Sequence, residues 1–173
     1  MFVRNIQTYG LQMTDKKILL SLFIAGLFIK LFFIISFTPD LPTKLYLPFL
    51  ESSINSLSFD PWNVWLKQNG DITAFPYGYI MWFALLPFYL ISDALGIEPI
   101  YGYGLTLIIT DILILYLIVT FINYKYKKAL LYYWLSPVLI FTIYAMGFND
   151  TIPILFLLVS IVFLKKHRYF YSG

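Results

Sequence analysis

Residues 18–37 read ILLSLFIAGLFIKLFFIISF, 20 residues whose one charge is Lys30. About 20 apolar residues is the length of helix that crosses a hydrocarbon core. No water is present there to satisfy backbone N–H and C=O groups, so the run has to be helical. A chain holding such a segment is committed to a membrane, and its other segments must pack on that helix, cross beside it or lie at its ends. The rest of the sequence fits this frame. Hydrophobic residues make up 60% and charged residues 12%, where soluble domains average about 45–50% and about 25%. Aromatic residues reach 21%, as expected where many helix ends meet a membrane–water interface.

The leading segment MFVRNIQTYGLQMTDKK is too long and polar for the charged region of a signal peptide, and no small-residue cleavage site closes the apolar run. Residues 18–37 therefore read as a retained first span. Pro39 and Pro42 end it, and residues 38–76 form a polar, turn-rich loop in which LYLPFLESSINSLSF predicts a short helix on the membrane surface. Further apolar runs cover 77–95, broken by Pro87, then 105–122, 129–146 and 147–164. The segment GIEPIYGYG between the second and third runs reads as a turn. The 36 residues from 129 to 164 would make one helix of about 54 Å, too long for one crossing, so a break is expected at Gly147–Asp150. The fold expected is all-α, a polytopic transmembrane bundle with a long first loop. The chain stops after YFYSG, where another helix would begin, so it reads as the N-terminal part of a longer membrane protein.

Charge sets the expected orientation. Lys16 and Lys17 precede the first span, and Lys125–Lys128 and KKHR follow later ones. Between Asp40 and Glu98 lie six of the nine acidic residues and only two lysines. By the positive-inside rule the basic clusters face the cytoplasm and the loop 38–76 is extracytoplasmic. Three apolar runs separate Lys17 from Lys125, and an odd number of crossings cannot join two points on one side. Either the 77–95 run is a non-spanning or hairpin element, which is the reading adopted here, or the loop hides a crossing.

Several chemistries are excluded. With no cysteine, neither disulfides nor thiolate metal sites are possible. No phosphate-cradling glycine motif and no His/Cys ligand spacing occurs, so no metal or other cofactor is indicated. His167 stands alone in its basic cluster. The basic residues sit beside apolar runs and do not spread as a nucleic-acid face would.

The candidate site residues are polar groups set against apolar sequence. Asp60 opens DPW in the loop, with Trp62 and Trp65 beside it. A carboxylate near apolar surface has its charged form disfavoured, which suits a general base. Aspartate before proline is equally an ordinary helix start. Asp40, just past the first span, is the second acidic candidate, and Asp71 in NGD reads as a turn. Trp62, Trp65, Tyr77 and Tyr79 offer aromatic faces of the kind that bind sugars, or anchor an interface. Asn149 and Asp150 sit at the expected break, as substrate contacts or as turn formers. Asp111 and Lys30 lie inside apolar runs, where charges are costly and either pair with each other or line a functional cavity.

The segment YYWLSPVLIFTIYAMGFNDTIPILFLLVSIVFLKK resembles part of the polytopic C-type glycosyltransferases, in which a W-x-[NS]-P-[LV] helix runs to a polar hinge, an apolar helix and a basic turn. LIITDILILYLI is similar to the acid-containing helix of the mannosyltransferases of glycolipid-anchor assembly and their prokaryotic relatives. DPWNVWLKQNGDITAFPYGYIMW resembles their first extracytoplasmic loop. The resemblance implies transfer of a sugar from a polyprenyl- or dolichyl-phosphate donor to a glycan, lipid or protein acceptor at the outer face, with inversion. The base would be Asp60, or Asp40. The membrane would be the plasma membrane in a prokaryote or the endoplasmic reticulum in a eukaryote. There is no tight acidic pair, so metal dependence does not carry over, and much of the family's substrate site lies in helices beyond these residues, so the fragment alone is expected to be inactive. Two alternatives stand beside this one: a transporter or channel subunit with Lys30 and Asp111 as an ion or proton site, and a non-catalytic assembly partner.

Overall fold

A computed structural model describes residues 2–56, 58–121 and 125–165, with side chains from Asp15 onward. His167 and the YFYSG segment lie outside the described residues, as does Ile122. Every regular element among the described residues is a helix.

Among the described residues, two helices are long and apolar enough to cross a membrane. The first, α1 (Phe2–Ser36), contains the 22-residue apolar stretch Asp15–Ser36. A short helix α2 (Leu47–Ser56) follows a wide helical turn at Pro42–Tyr46, and α3 (Pro61–Lys67) completes the loop. The next helix, α4 (Tyr79–Ala94), has 16 residues. The second long helix is α5 (Pro99–Phe121), 23 residues. A third crossing results if α6 (Tyr126–Trp134) and α7 (Pro137–Ala145), bent by 48° at their junction, count as one broken span. The last helix, α8 (Thr151–Lys165), has 15 residues, roughly 22 Å of rise.

These elements depart from the sequence expectations in three places. Helix α5 starts at Pro99, six residues before the 105–122 run, because Pro suits a first helical turn. Its glycines, read as turn formers, make room for a neighbour: a Cβ on Gly102 would lie 2.3 Å from the carbonyl oxygen of Phe88 on α4. Small residues at contacts between apolar helices allow this close backbone approach. Pro87 neither breaks α4 nor folds the 77–95 run into a hairpin, since the helix runs through it. A single lost N–H bond inside an apolar helix is tolerated. The 129–146 run is not one helix. Ser136, kept out of helical geometry by the following proline, takes ψ 118°. The break expected near Gly147–Asp150 is present, with Gly147 at φ +76° between α7 and α8.

The two long helices run antiparallel. Asp15, Ile18 and Leu19 line one cleft with Lys125, Lys127 and Lys128, whereas Ile34, Phe37 and Pro39 meet Ile100 and Tyr103 at the far end. Lys165 at the end of α8 rises 5.7 Å over the Phe121 ring, so the basic residues of α1, α6 and α8 gather at one end of the bundle. The loop and α4 belong to the other end. Of the described helices between Lys17 and Lys125, α1 and α5 are the two long and apolar enough to cross a membrane, an even number.

Burial differs sharply between them. Half of the apolar window of α5 is buried, but only 11% of that of α1. The contact that seats α1 is local. Trp134 is fully buried, stacks on Phe23 at 5.0 Å and donates its indole N–H to the Phe23 carbonyl at 2.9 Å. It fits because α1 has glycine beneath it: a Cβ on Gly26 would stand 2.2 Å from the indole nitrogen. Overfilling a packed site costs about 1–3 kcal/mol. Gly26→Val should lower the thermal stability of the detergent-solubilised protein by that amount, while Phe28→Leu, on the exposed face of α1, should leave it unchanged.

Candidate functional site

Two polar constellations emerge, one inside the bundle and one at its loop end. The first joins the two charges that lie within the long apolar helices. Lys30 on α1 and Asp111 on α5 are each 1% exposed and form an ion pair. The ammonium donates to Asp111 Oδ2, which also accepts from the Tyr144 hydroxyl at 2.9 Å. The Tyr133 hydroxyl donates to Oδ1. The ammonium also lies 3.5 Å from the centre of the Trp134 ring and 5.3 Å from that of Tyr144. An ammonium over an aromatic face is attracted by the ring quadrupole, more so when desolvated. Each charge is thus compensated by groups from other helices, as a buried pair requires. A void of about 10 Å³ beside Tyr144 has room for about one water molecule. The cluster is closed and fully partnered.

The second constellation is the loop, which is a folded aromatic unit. Phe49 stacks on Phe75 with ring centres 4.6 Å apart and planes 3° from parallel. Trp62 and Trp65 turn inward onto Phe49. Their indole N–H groups donate to the carbonyls of Phe75, at 2.9 Å, and Asp71, at 2.8 Å. Tyr79 packs edge-on against Trp62 at 4.7 Å and donates its hydroxyl to the Phe59 carbonyl at 2.7 Å. The Trp82 indole N–H reaches Ser53 Oγ at 2.9 Å. The rings singled out as sugar platforms or interface anchors therefore hold the loop to itself and to α4. Helix α2 likewise turns Leu47, Phe49 and Leu50 into the protein, because these inward rings give its apolar face a packing partner.

The loop carboxylates are exposed. Asp60 caps α3, its Oδ1 accepting from the Asn63 amide at 3.1 Å. The apolar surroundings expected from Trp62 and Trp65 are absent, since both rings face away into the loop core. Asp40 pairs with Lys44, one helical turn on, at 2.9 Å with both side chains mostly in solvent, an arrangement worth little energy. Asp71 closes a turn, accepting from the amide and hydroxyl of Thr73, both at 2.7 Å. These bonds hold its carboxyl below the usual carboxylate range. Among the described residues no hydrogen bond or ion pair joins Asp60 to Asp40 or Asp150. Between the loop and α4 runs an apolar groove of about 440 Å³, lined by Phe59 and Pro61, the chain neighbours of Asp60, and by Tyr79, Trp82, Phe83 and Leu90.

The break before α8 meets the loop. The Tyr103 hydroxyl donates to the Gly147 carbonyl at 2.7 Å. The hydroxyls of Tyr46 and Tyr77 lie 3.3 Å apart. Burial first, then that bond, pushes the Tyr46 hydroxyl well above its ordinary pKa, with Asp150 contributing in the same direction. Asp150 is exposed and Asn149 is 2% exposed. The Asn149 amide nitrogen and the Thr151 hydroxyl are buried without partners. Tyr46, Tyr103, Tyr133 and Tyr144 are not among the residues the sequence marks, and Trp134 enters there only as the first residue of the W-x-[NS]-P-[LV] pattern. No spacing links the five, because they converge from separate helices and across the Pro137 break.

No family model, no curated protein and no solved structure matches this chain.

A buried pair loses about 3–5 kcal/mol when one partner is removed, whereas replacing both together is often neutral. Asp111→Asn should therefore sharply lower the melting temperature in detergent, and adding Lys30→Met should recover much of the loss. A double mutant no more stable than Asp111→Asn alone would show that the two charges do not act as a pair.

Proposed function

We propose that this chain forms a polytopic bundle with its loop 38–76 on the extracytoplasmic face, and acts there in transferring a sugar from a polyprenyl- or dolichyl-phosphate carrier to an acceptor hydroxyl. The observation that supports it best is the apolar groove along α4, which starts at the residues flanking Asp60 and continues over three turns of a helix with Ile80, Phe83, Leu90 and Ile91 exposed. Such a groove suits an isoprenoid chain entering from the bilayer. A chain seated there would bring its phosphate to the level of Phe59–Pro61. Asp60 then stands as the base: it takes the proton of the acceptor hydroxyl, whose oxygen attacks the anomeric carbon while the lipid phosphate leaves from the opposite side. A base of this kind has to come within about 2.6–3.2 Å of the hydroxyl. Asp40 is the second candidate for the base, and the exposed Asp150 is a further carboxylate beyond the break at Gly147.

Orientation follows from charge. The lysines gathered at the far end of the bundle favour the cytoplasm, which sets the acidic loop outside. Lys30 and Asp111 fit a structural part better than an ion pathway, because each is fully partnered within the bundle.

Asparagine caps a helix about as well as aspartate, while alanine costs about 1 kcal/mol. Asp60→Asn therefore separates base from cap. With a polyprenyl-phosphate sugar as donor, Asp60→Asn should reduce transfer by about 10²–10⁴-fold at unchanged stability. Full transfer by Asp60→Asn, with a destabilised Asp60→Ala, would leave Asp60 as a cap only. The sidedness has its own check, since the chain has no cysteine. Ile72→Cys, on the exposed loop, should react with an impermeant thiol reagent in intact cells, and Lys127→Cys only after permeabilisation.

A further inference from the structure

The end of the bundle opposite the loop carries a second feature. Two voids there share a wall at Leu19 and Tyr126. One is an open cleft of about 600 Å³, lined by Lys125, Lys127, Lys128 and Asp15, together with Ile18 and Leu131. The other is an apolar groove of about 410 Å³ between α1 and α5, walled by Leu20, Phe23, Ile112, Leu115 and Val119, with Lys16 at its edge. Both sizes fall within the range of about 300–1,000 Å³ typical of ligand sites.

Charge and shape point to one kind of occupant. Four lysines face one aspartate across the two voids. Among the described residues none of the four is in an ion pair, the pairs there being Lys30–Asp111 and Lys44–Asp40. A free phosphate would use the cleft and leave the groove empty. An uncharged lipid would fill the groove and leave the ammonium groups without a counter-charge. An amphiphile with an anionic head satisfies both, and basic pockets at the ends of membrane helices take such heads. The groove spans two turns of α5, from Ile112 to Val119, and borders α1, whose apolar window is only 11% buried. We infer that Lys125, Lys127 and Lys128, with the groove between α1 and α5, form a binding site for an anionic phospholipid of the surrounding bilayer, its phosphate at the lysines and one acyl chain between the helices. The site is at the far end from Asp60 and does not depend on the proposed transferase.

The test uses the full chain in neutral detergent, with phosphatidylglycerol as probe and phosphatidylcholine and inorganic phosphate as comparisons. Phosphatidylglycerol should bind and raise the melting temperature, while the other two should do neither. Each lysine near a headgroup contributes about fivefold, so Lys127→Gln with Lys128→Gln should weaken binding roughly 30-fold. Leu19→Trp, which blocks the shared wall but keeps every charge, should abolish the shift. Leu20→Trp on the exposed rim serves if the first variant misfolds. Equal stabilisation by phosphatidylcholine or by phosphate alone would overturn the inference. So would undiminished binding in the lysine or tryptophan variants, or a dimer of the lipid-free protein that shuts lipid out of the groove.

Discussion

An ammonium and a carboxylate facing each other between two helices apolar enough to cross a membrane constrain everything around them. Neither Lys30 nor Asp111 is tolerable alone in that setting, so α1 and α5 must meet at the depth where the two side chains reach one another. Lipid tails are as apolar as leucine, and apolar burial gives little reason for two such helices to choose a register. The ion pair supplies one. It also recruits the helices beyond it. Asp111 retains acceptor capacity after meeting Lys30, and Tyr133 and Tyr144 use it from either side of the break at Ser136. Trp134, lying between them in sequence, covers the ammonium and fills the notch above Gly26. The bend of 48° is what allows residues on both sides of Pro137 to face the same carboxylate.

The loop end holds together by a different force. Its stability comes from aromatic rings packed on each other, Phe49, Trp62, Phe75 and Tyr46 among them, with indole and phenol groups bonded to backbone carbonyls. This fixes a segment of nearly 40 residues whose regular structure is limited to short helices. It leaves the carboxylates at the surface and an apolar groove at the side facing α4. Among the described residues, the Asn149 amide nitrogen and the Thr151 hydroxyl are buried without a hydrogen-bond partner.

The two ends are therefore chemically opposite. One is acidic, aromatic and structured, and the other is basic, with an open cleft continuing into an apolar groove. The lipid with an anionic head inferred above draws on the lysines of the basic end, and the lipid-borne donor proposed above draws on the apolar groove lined by Phe59 and Pro61 at the acidic end. The same helix α5 borders both regions, through Tyr103 at one end and Val119 at the other.

The sequence by itself determined the class of the fold. Run length and apolarity are local properties, and a segment such as 18–37 has no alternative to helix once it is in hydrocarbon. The break at 147–150 was legible for the same reason, because an apolar stretch of 36 residues exceeds one crossing and Gly, Asn and Asp stand where it must turn. The cap at Asp60 and the turn at Asp71 were legible as local hydrogen-bonding habits. Tertiary structure alone decided the rest. Whether Lys30 and Asp111 paired or lined a cavity depended on the relative depth of two helices 81 positions apart in sequence, which no local pattern encodes. Trp62 and Trp65 turned inward because Phe49 and Phe75 were there to receive them, so their place in the site followed from partners distant in the chain. Gly102 became a packing notch, not a turn, because Phe88 came to lie against it. Local chemistry fixes what a segment is, whereas the role of a side chain depends on which other segment arrives beside it.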